Sequence, residues 1–492
     1  MYTQTTYQDW LATPLGDRLE LMHQIVEQYK VSSDFKHALM AQRYFESSND
    51  EVSKKVVLRA KAIETTIRDE VTGREVHKQQ VTNAEVVGAR VASNFFFRFV
   101  TQQNQHLLGN GAAIGGENGG AIKAALGLGF DTALQQIGES ALIHGCCWGY
   151  WNLDHLEIIK AAADDMSGFV ALVDEMTSQP RVGLQFWQLT PQRPMYIRLF
   201  EEDGLSVYKY QDSTMALMEP KRAYVQRVST DALGSEITAA DNYSRLPLVP
   251  LYANPERRSE LTMALKSKID AYDIISSDFV DNLEQANDVY WVLNNFGGSS
   301  SEAAAMLAEI HRLKAVMTIS DGSGSGSSAE PHSFEVPFAA RGAALKLIEA
   351  AMYKDFMGLS LDEITGGSLT NVAIRAAETN LTLKCDRYEW QVFAFVQQLL
   401  RLLGYEVEQI SFVRRSLSNA SEVVADIALM REDIDQETAL RLNPYIAEED
   451  ILGILERTAY ESHANAYSGQ PSIDELERIA NGEQGPPEEV AE

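Results

Sequence analysis

Cysteine is scarce in this chain: Cys146, Cys147 and Cys385 are the three among 492 residues. Three thiols cannot build a disulfide framework, so a reducing compartment is the default expectation. Positive charge is also short, with 42 Lys and Arg against 70 Asp and Glu, a formal net charge of −28. A protein whose main task is gripping nucleic acid by its phosphates needs a basic footprint, and that class is excluded. The bland consequence of the charge is a solvated, self-repelling surface. No run of about 18 apolar residues occurs, and Met1 to Thr6 lack a basic start leading into an apolar core. Neither a membrane span nor a signal peptide is expected.

Other absences narrow the chemistry. His144 stands near Cys146 and Cys147, but no second Cys or His pair lies at zinc spacing, and neighbours on a strand point apart. Buried cysteines entering a strand are the better account. Gly109, Gly111 and Gly115 come close to a dinucleotide-binding loop, yet residues 101–106 before them carry no strand pattern. Residues 109–120 therefore read as a flexible linker between helices. Asp174, Glu175, Glu201, Glu202 and Asp203 have no histidine, lysine or second motif converging on them, and read as turn and surface acids. No catalytic residue, cofactor or metal site is assigned.

What is present is a multi-unit globular chain, 45% hydrophobic in composition, long enough for about two to four packed units. Helices are predicted over 17–29 and from 32 to about 45. After a charged loop, 83–108 reads as a helical segment carrying the Phe95-Phe96-Phe97 cluster, and a further helix runs to Ile143. From Trp148 to Tyr252 the texture becomes β: short runs separated by Pro, Gly and Asp turns predict an antiparallel sheet domain, with a hairpin turn at 202–204.

Ser259 then opens a helix whose Leu261, Leu265, Ile269, Tyr272, Ile275, Phe279 and Leu283 form one stripe. Glu260, Asp270, Asp273, Asp278, Asp281 and Glu284 lie mainly off it, so one face wants a partner and the other carries negative charge. A small α/β insert follows: a strand at 289–293, a helix at 301–313, a strand at 315–319, a Gly/Ser tip at 322–328 and a return strand at 332–337. A second helix, 339–359, has Leu345, Ile348, Met352 and Phe356 on one face. Helices flanking an insert should run antiparallel, as a stalk with a knob.

The second stalk helix breaks at Leu361 to Leu369, where Gly366-Gly367 permits a sharp change of direction. A long helix follows from 371 to 403 and stops at Gly404. Its first half is small and polar and its second half apolar on nearly every face, so the far end should be anchored in a core.

These pieces together resemble the portal, or head-to-tail connector, proteins of tailed double-stranded DNA bacteriophages. The resemblance is carried by the 83–94 segment closing on Leu107-Leu108-Gly109, by Ala141 to Gly145 before a strand, by Leu172 to Glu175 and by Leu246 to Pro250. Ile269 to Asp278 and the opening of the long helix at Leu369 to Ile374 complete it, over roughly residues 15–460, a multi-domain span. The glycine-rich 110–120 stretch and the Ser/Gly tip depart from the pattern.

The resemblance implies an α+β, mainly helical portal-type fold. Its β-rich wing would be residues 1–258, rejoined by the long helix 371–404 and a strand at 405–416. A two-helix stem would be 259–286 with 339–360, a small α/β clip 287–338, and a tunnel loop 361–370. A helical crown at 417–464 and a disordered acidic tail at 465–492 would close the chain. Asp362, Glu363, Thr365, Gly366, Gly367, Ser368 and Thr370 would surround the DNA constriction. Asp270, Asp273, Asp278 and Lys346 would mark the stem, and Glu302, Glu309, Arg312 and Glu335 the clip's docking surface.

The implied assembly is a homo-oligomeric ring, commonly of twelve copies, at a capsid vertex of the virion, assembled in the host cytoplasm. Its partners would be the passing double-stranded DNA, the terminase large subunit, a head-tail connector, and the major capsid and scaffolding proteins. No cofactor and no membrane are implied. An acidic chain suits a channel through which phosphates must slide without binding. Two alternatives stay open: another structural virion component, capsid or scaffolding, and a divalent-cation-dependent enzyme using Asp270, Asp273 and Asp278.

Overall fold

The computed structural model describes residues 5–68, 75–230, 236–286, 290–294, 328–332, 338–360, 371–414, 420–431, 433–446 and 450–459. The chain is mixed helix and antiparallel sheet and divides into two compact units, Met1–Ser360 with Thr379–Arg415, and Leu361–Glu378 with Ser416–Glu492.

The first unit is layered about a helix-to-strand junction. Helix Phe130–His144 stops at Gly145, whose φ of 86° is left-handed and whose absent Cβ would lie 2.7 Å from the Arg258 carbonyl carbon. Only glycine fits both demands. Strand Cys146–Asn152 follows at once, between His155–Lys160 and the outer strand Leu248–Tyr252. Alternation along it divides two cores. Cys146, Trp148 and Tyr150 join Phe169, Phe200 and Leu248, whereas Cys147 and Trp151 join Leu134, Ile137, Val392 and Phe395. The adjacent cysteines are thus buried on opposite faces, as two successive strand residues must be.

Ala162–Asp164, Ser167–Val173, Pro180–Trp187, Met195–Glu201, Gly204–Gln211 and Thr214–Arg222 form a six-stranded antiparallel meander. One face, with Val170, Leu172, Leu184, Phe186 and Ile197, packs on Trp10, Met22, Ile25, Tyr29 and Phe35 of helices Tyr7–Ala12, Arg18–Val31 and Ser33–Phe45. Its other face packs on the three-stranded sheet through Phe169, Ala171 and Phe200. Helices, large sheet, small sheet and helices therefore stack in that order. The far apolar half of helix Asn371–Leu402 lies in the last layer, with Tyr388, Val392, Phe395, Val396 and Leu399 all buried.

Several expectations are corrected. The stretch read as a charged loop contains a long hairpin, Val56–Arg68 paired with Glu75–Val87, so Asn83 to Val87 are strand and the helix begins at Phe95. Residues 109–120 are not a free linker. Ala112–Gly115 is a strand paired with Gln409–Phe412, and helix Gly119–Leu126 starts within the same stretch. Gly111 has a steric reason: its φ is 75° and a Cβ there would lie 2.5 Å from the Asp131 carboxyl carbon. The first stalk helix starts at Met263 rather than Ser259, and a strand runs Ser328–His332; the rest of the expected return strand, 333–337, and the expected helix at 301–313 and strand at 315–319 lie outside the described residues.

In the second unit, helix Gln436–Leu442 is capped by Asp435, which accepts from Thr438 N at 3.0 Å. Helix Ala420–Leu429 and helical residues 450–459, with buried Ile451, accompany it.

Candidate functional site

Two helices of the first unit, Met263–Ala286 and Phe338–Phe356, pair along their length. Phe279 meets Phe338 edge-on at 5.7 Å, and Lys268 is ion-paired with Asp355. A later residue on one helix faces an earlier one on the other, so the pair is antiparallel, as a stalk requires. The strands Tyr290–Asn294 and Ser328–His332, which lie between them in sequence, pair with each other. At the stalk's base Leu265, Ile269, Met352 and Phe356 enter the core, and Phe356 stacks on Phe99 at 4.6 Å.

The acids of the first stalk helix are not a free negative face. Asp273 is 1% and Asp281 4% exposed, so each needs donors. An extended segment, 88–94, supplies them. Ala89 N donates to Asp281 Oδ1 at 2.8 Å, Val91 N to Ser277 Oγ at 3.0 Å, and Ser93 N to Asp273 Oδ1 at 3.0 Å. Every second amide of the segment thus meets every fourth residue of the helix. The pattern is possible because two extended residues advance about 6.6 Å and four helical ones about 6 Å.

Side chains close the row. Asn49 Nδ2 reaches Asp273 Oδ2 at 2.8 Å, Lys55 Nζ pairs with Asp278 at 2.8 Å and Asp281 at 2.7 Å, and Lys266 Nζ reaches Asp270 at 2.6 Å. The Tyr44 hydroxyl also donates to Asp270. Burial raises the Asp273 carboxyl above its usual range, against the hydrogen bonds from Ser93 and Asn49 that lower it. Gly88 is required where it stands, since a Cβ would lie 2.5 Å from Val57 Cγ2 and 2.9 Å from Asp281 Oδ2.

The second stalk helix ends in a Schellman turn: Gly358 N donates to Tyr353 O at 2.9 Å and Met357 N to Lys354 O at 3.2 Å, with Met357 at φ 63°. Beyond it, Gln102 grips the main chain with both ends of its amide. Its Nε2 donates to the Leu359 carbonyl at 3.0 Å, and Leu359 N–H donates to its Oε1 at 3.0 Å. Lys384 donates to the Phe356 carbonyl at 3.0 Å, pairs with Glu260 at 2.8 Å and lies 3.2 Å from the Phe356 ring centroid. Burial lowers its ammonium pKa, which the Glu260 carboxylate partly offsets. The chain entering residue 361 therefore departs from a clamped point.

Of the residues singled out in the sequence, Asp270, Asp273 and Asp278 come together on this helix, each already holding a protein donor. Lys346 is exposed on the other stalk helix. Asp362, Glu363, Thr365, Gly366, Gly367, Ser368 and Thr370, and likewise Glu302, Glu309, Arg312 and Glu335, lie outside the described residues, as does the tail from 465. Among the described residues no group of three or more His, Cys, Asp or Glu side chains is placed to hold a metal ion, and no helix is long and apolar enough to cross a membrane. Gln102, Lys384 and Ser277 escaped sequence reasoning. The one available signal was spacing, because Gln102 continues the Phe95, Phe99 face of its helix.

A profile of the family described as phage portal protein, SPP1 Gp6-like, matches residues 28–464. A portal protein of Clostridium phage phiCD119 is 28% identical over 218 residues, covering 43% of this chain and 48% of its own length. A portal protein of Bacillus phage SPP1 is 25% identical over 258 residues, covering 48% of this chain and 50% of its own length. The match thus spans about half the length of these curated relatives.

Proposed function

The chain belongs to the SPP1 Gp6-like family of phage portal proteins, and from that membership we propose that it is the subunit of a ring at one capsid vertex, through whose channel double-stranded DNA is packaged and ejected. The family is structural and non-enzymatic, and its members are virion components. The observation that best supports the reading is the antiparallel stalk, strapped to the body by a hydrogen-bonded row, with segment 361–370 leaving from a clamped main chain at Leu359. A loop that touches moving DNA must transmit force to a fixed body, and this attachment supplies the fixed point.

In this reading 361–370 is the tunnel loop and 287–338 the clip, where the terminase large subunit and then a head-tail connector dock. The ring, commonly of twelve copies, would be seated among major capsid and scaffolding proteins. It would be a passive conduit, with ATP hydrolysis supplied by the terminase. The commitment of the stalk carboxylates to protein donors favours this structural role over a divalent-cation enzyme. Averaged end-on views in negative stain test it: a closed ring with an axial opening is expected. Closed shells, elongated dimers or monomers at every concentration and salt would overturn it.

A further inference from the structure

The first unit carries an open cleft of about 390 Å³ between the turn at 177–181, the segment 245–252 and the C-terminal part of helix Asn371–Leu402. Arg181, Arg245, Arg257 and Arg401 line it, and among the described residues Glu202 is the only acid that does. That acid is already engaged, accepting from Arg181 Nη1 at 2.5 Å. Asp174, behind the wall, accepts from the amides of Met176 and Thr177 in its own turn, at 2.9 and 3.1 Å. Its Oδ2 lies 3.7 Å from Arg181 Nε, which is buried and donates no hydrogen bond. The Arg257 guanidinium is set over the Tyr252 ring at 4.5 Å from its centroid. Arg245 and Arg401 are exposed and face no carboxylate of the lining.

The lining carries four guanidiniums against one carboxylate, in a chain whose net charge is −28. A concave wall of one sign focuses potential. Every cation here is Arg and none Lys, the choice that suits bidentate binding of a planar anion. A ring of identical copies closes through a heterologous contact, one patch of each subunit meeting a different patch of the next. Subunits this acidic repel unless that contact sets positive against negative. Each copy brings 70 Asp and Glu, so carboxylate is the anion a neighbour has in abundance.

We propose that this cleft is the basic half of the head-to-tail contact and receives carboxylate side chains of a second copy of the chain. The proposal rests on the ring reading above. Its test is mass photometry of the full chain over a concentration series, comparing wild type with Arg245→Glu/Arg401→Glu and Arg245→Lys/Arg401→Lys, with thermal melts as a check on folding. The Glu pair is expected to melt as wild type does but to need about tenfold more protein to assemble, and the Lys pair to fall between. Assembly of the Glu pair at the wild-type concentration overturns the proposal while leaving the ring reading intact. Wild type that never assembles overturns both. Unchanged assembly together with weakened binding of a short DNA duplex identifies a phosphate site instead, and the proposal fails.

Discussion

Replacing Gln102 with Leu keeps nearly the same volume and removes both hydrogen bonds to Leu359, each 3.0 Å in the wild type. The Leu359 amide and carbonyl are then left facing an apolar side chain. An unmade hydrogen bond at a half-buried site costs about 1 kcal/mol or more, so the pair is worth about 2 kcal/mol. That corresponds to about thirty-fold easier local opening. The loss should be local, because the Phe99–Phe356 stack and the Lys384 contact to Phe356 hold the helix end independently. Hydrogen exchange followed by mass spectrometry, over peptides covering 357–360, reads it directly. Gln102→Glu separates the two bonds: it still accepts from Leu359 N–H but sets an anion against the carbonyl, and should loosen the site nearly as much. Exchange at Leu359 unchanged in both variants would refute the clamp and leave the helix end held by the Schellman turn, the Phe99–Phe356 stack and Lys384.

Asp281→Ala removes a buried acceptor of Ala89 N–H and Lys55 and should cost about 3 kcal/mol, whereas Asp278→Ala, with its side chain 49% exposed, should cost no more than about 0.5 kcal/mol. Equal losses in urea denaturation would contradict the strap. His144 is buried with Nδ1 2.8 Å from the Ser140 carbonyl, which must accept from Nδ1–H, and burial pushes its pKa down from 6.5 to about 4. Between those values the unfolded chain holds a proton that the folded one does not, so stability should rise with pH across this window by about 3 kcal/mol. In His144→Gln that slope should flatten, and a slope equal to wild type would count against the assignment. Deleting residues 362–368 should leave rings intact in micrographs while packaged DNA is lost or not retained; absence of rings would make the segment structural.

What could be read from the residues alone followed from periodicity. Helix Asn371–Leu402 and the stripe of helix Met263–Ala286 appeared within one or a few residues of their bounds because their apolar spacing is sustained. Most strands of the meander appeared because their runs are short, β-branched or aromatic, and divided by turns. The hairpin Val56–Arg68 with Glu75–Val87 was missed because Lys, Arg, Glu and Gln interrupt it, although Val56, Val57, Ile63 and Val81 carried the β signal. Strand Ala112–Gly115 has its partner at Gln409–Phe412, and no local pattern can announce a pairing across that separation. Asp273 and Asp281 looked solvated because a helical acid normally is. Their donors all lie far away in sequence, and two of them, the amides of Ala89 and Ser93, belong to the main chain and have no residue signature.

The strap along the first stalk helix acts as a ratchet with one coarse tooth. To slide along the 88–94 segment and recover its bonds, the helix must advance four residues, about 6 Å, while the segment advances two. Any smaller shift strands the amides of Ala89, Val91 and Ser93 against Asp281, Ser277 and Asp273. A pull along the stalk therefore meets a stop rather than a slope, and is handed to the layered body undiminished. Held from Asp273 to Asp281, the helix is bound to the body over most of its outer half, and a load on it is shared by the body rather than borne by the helix alone.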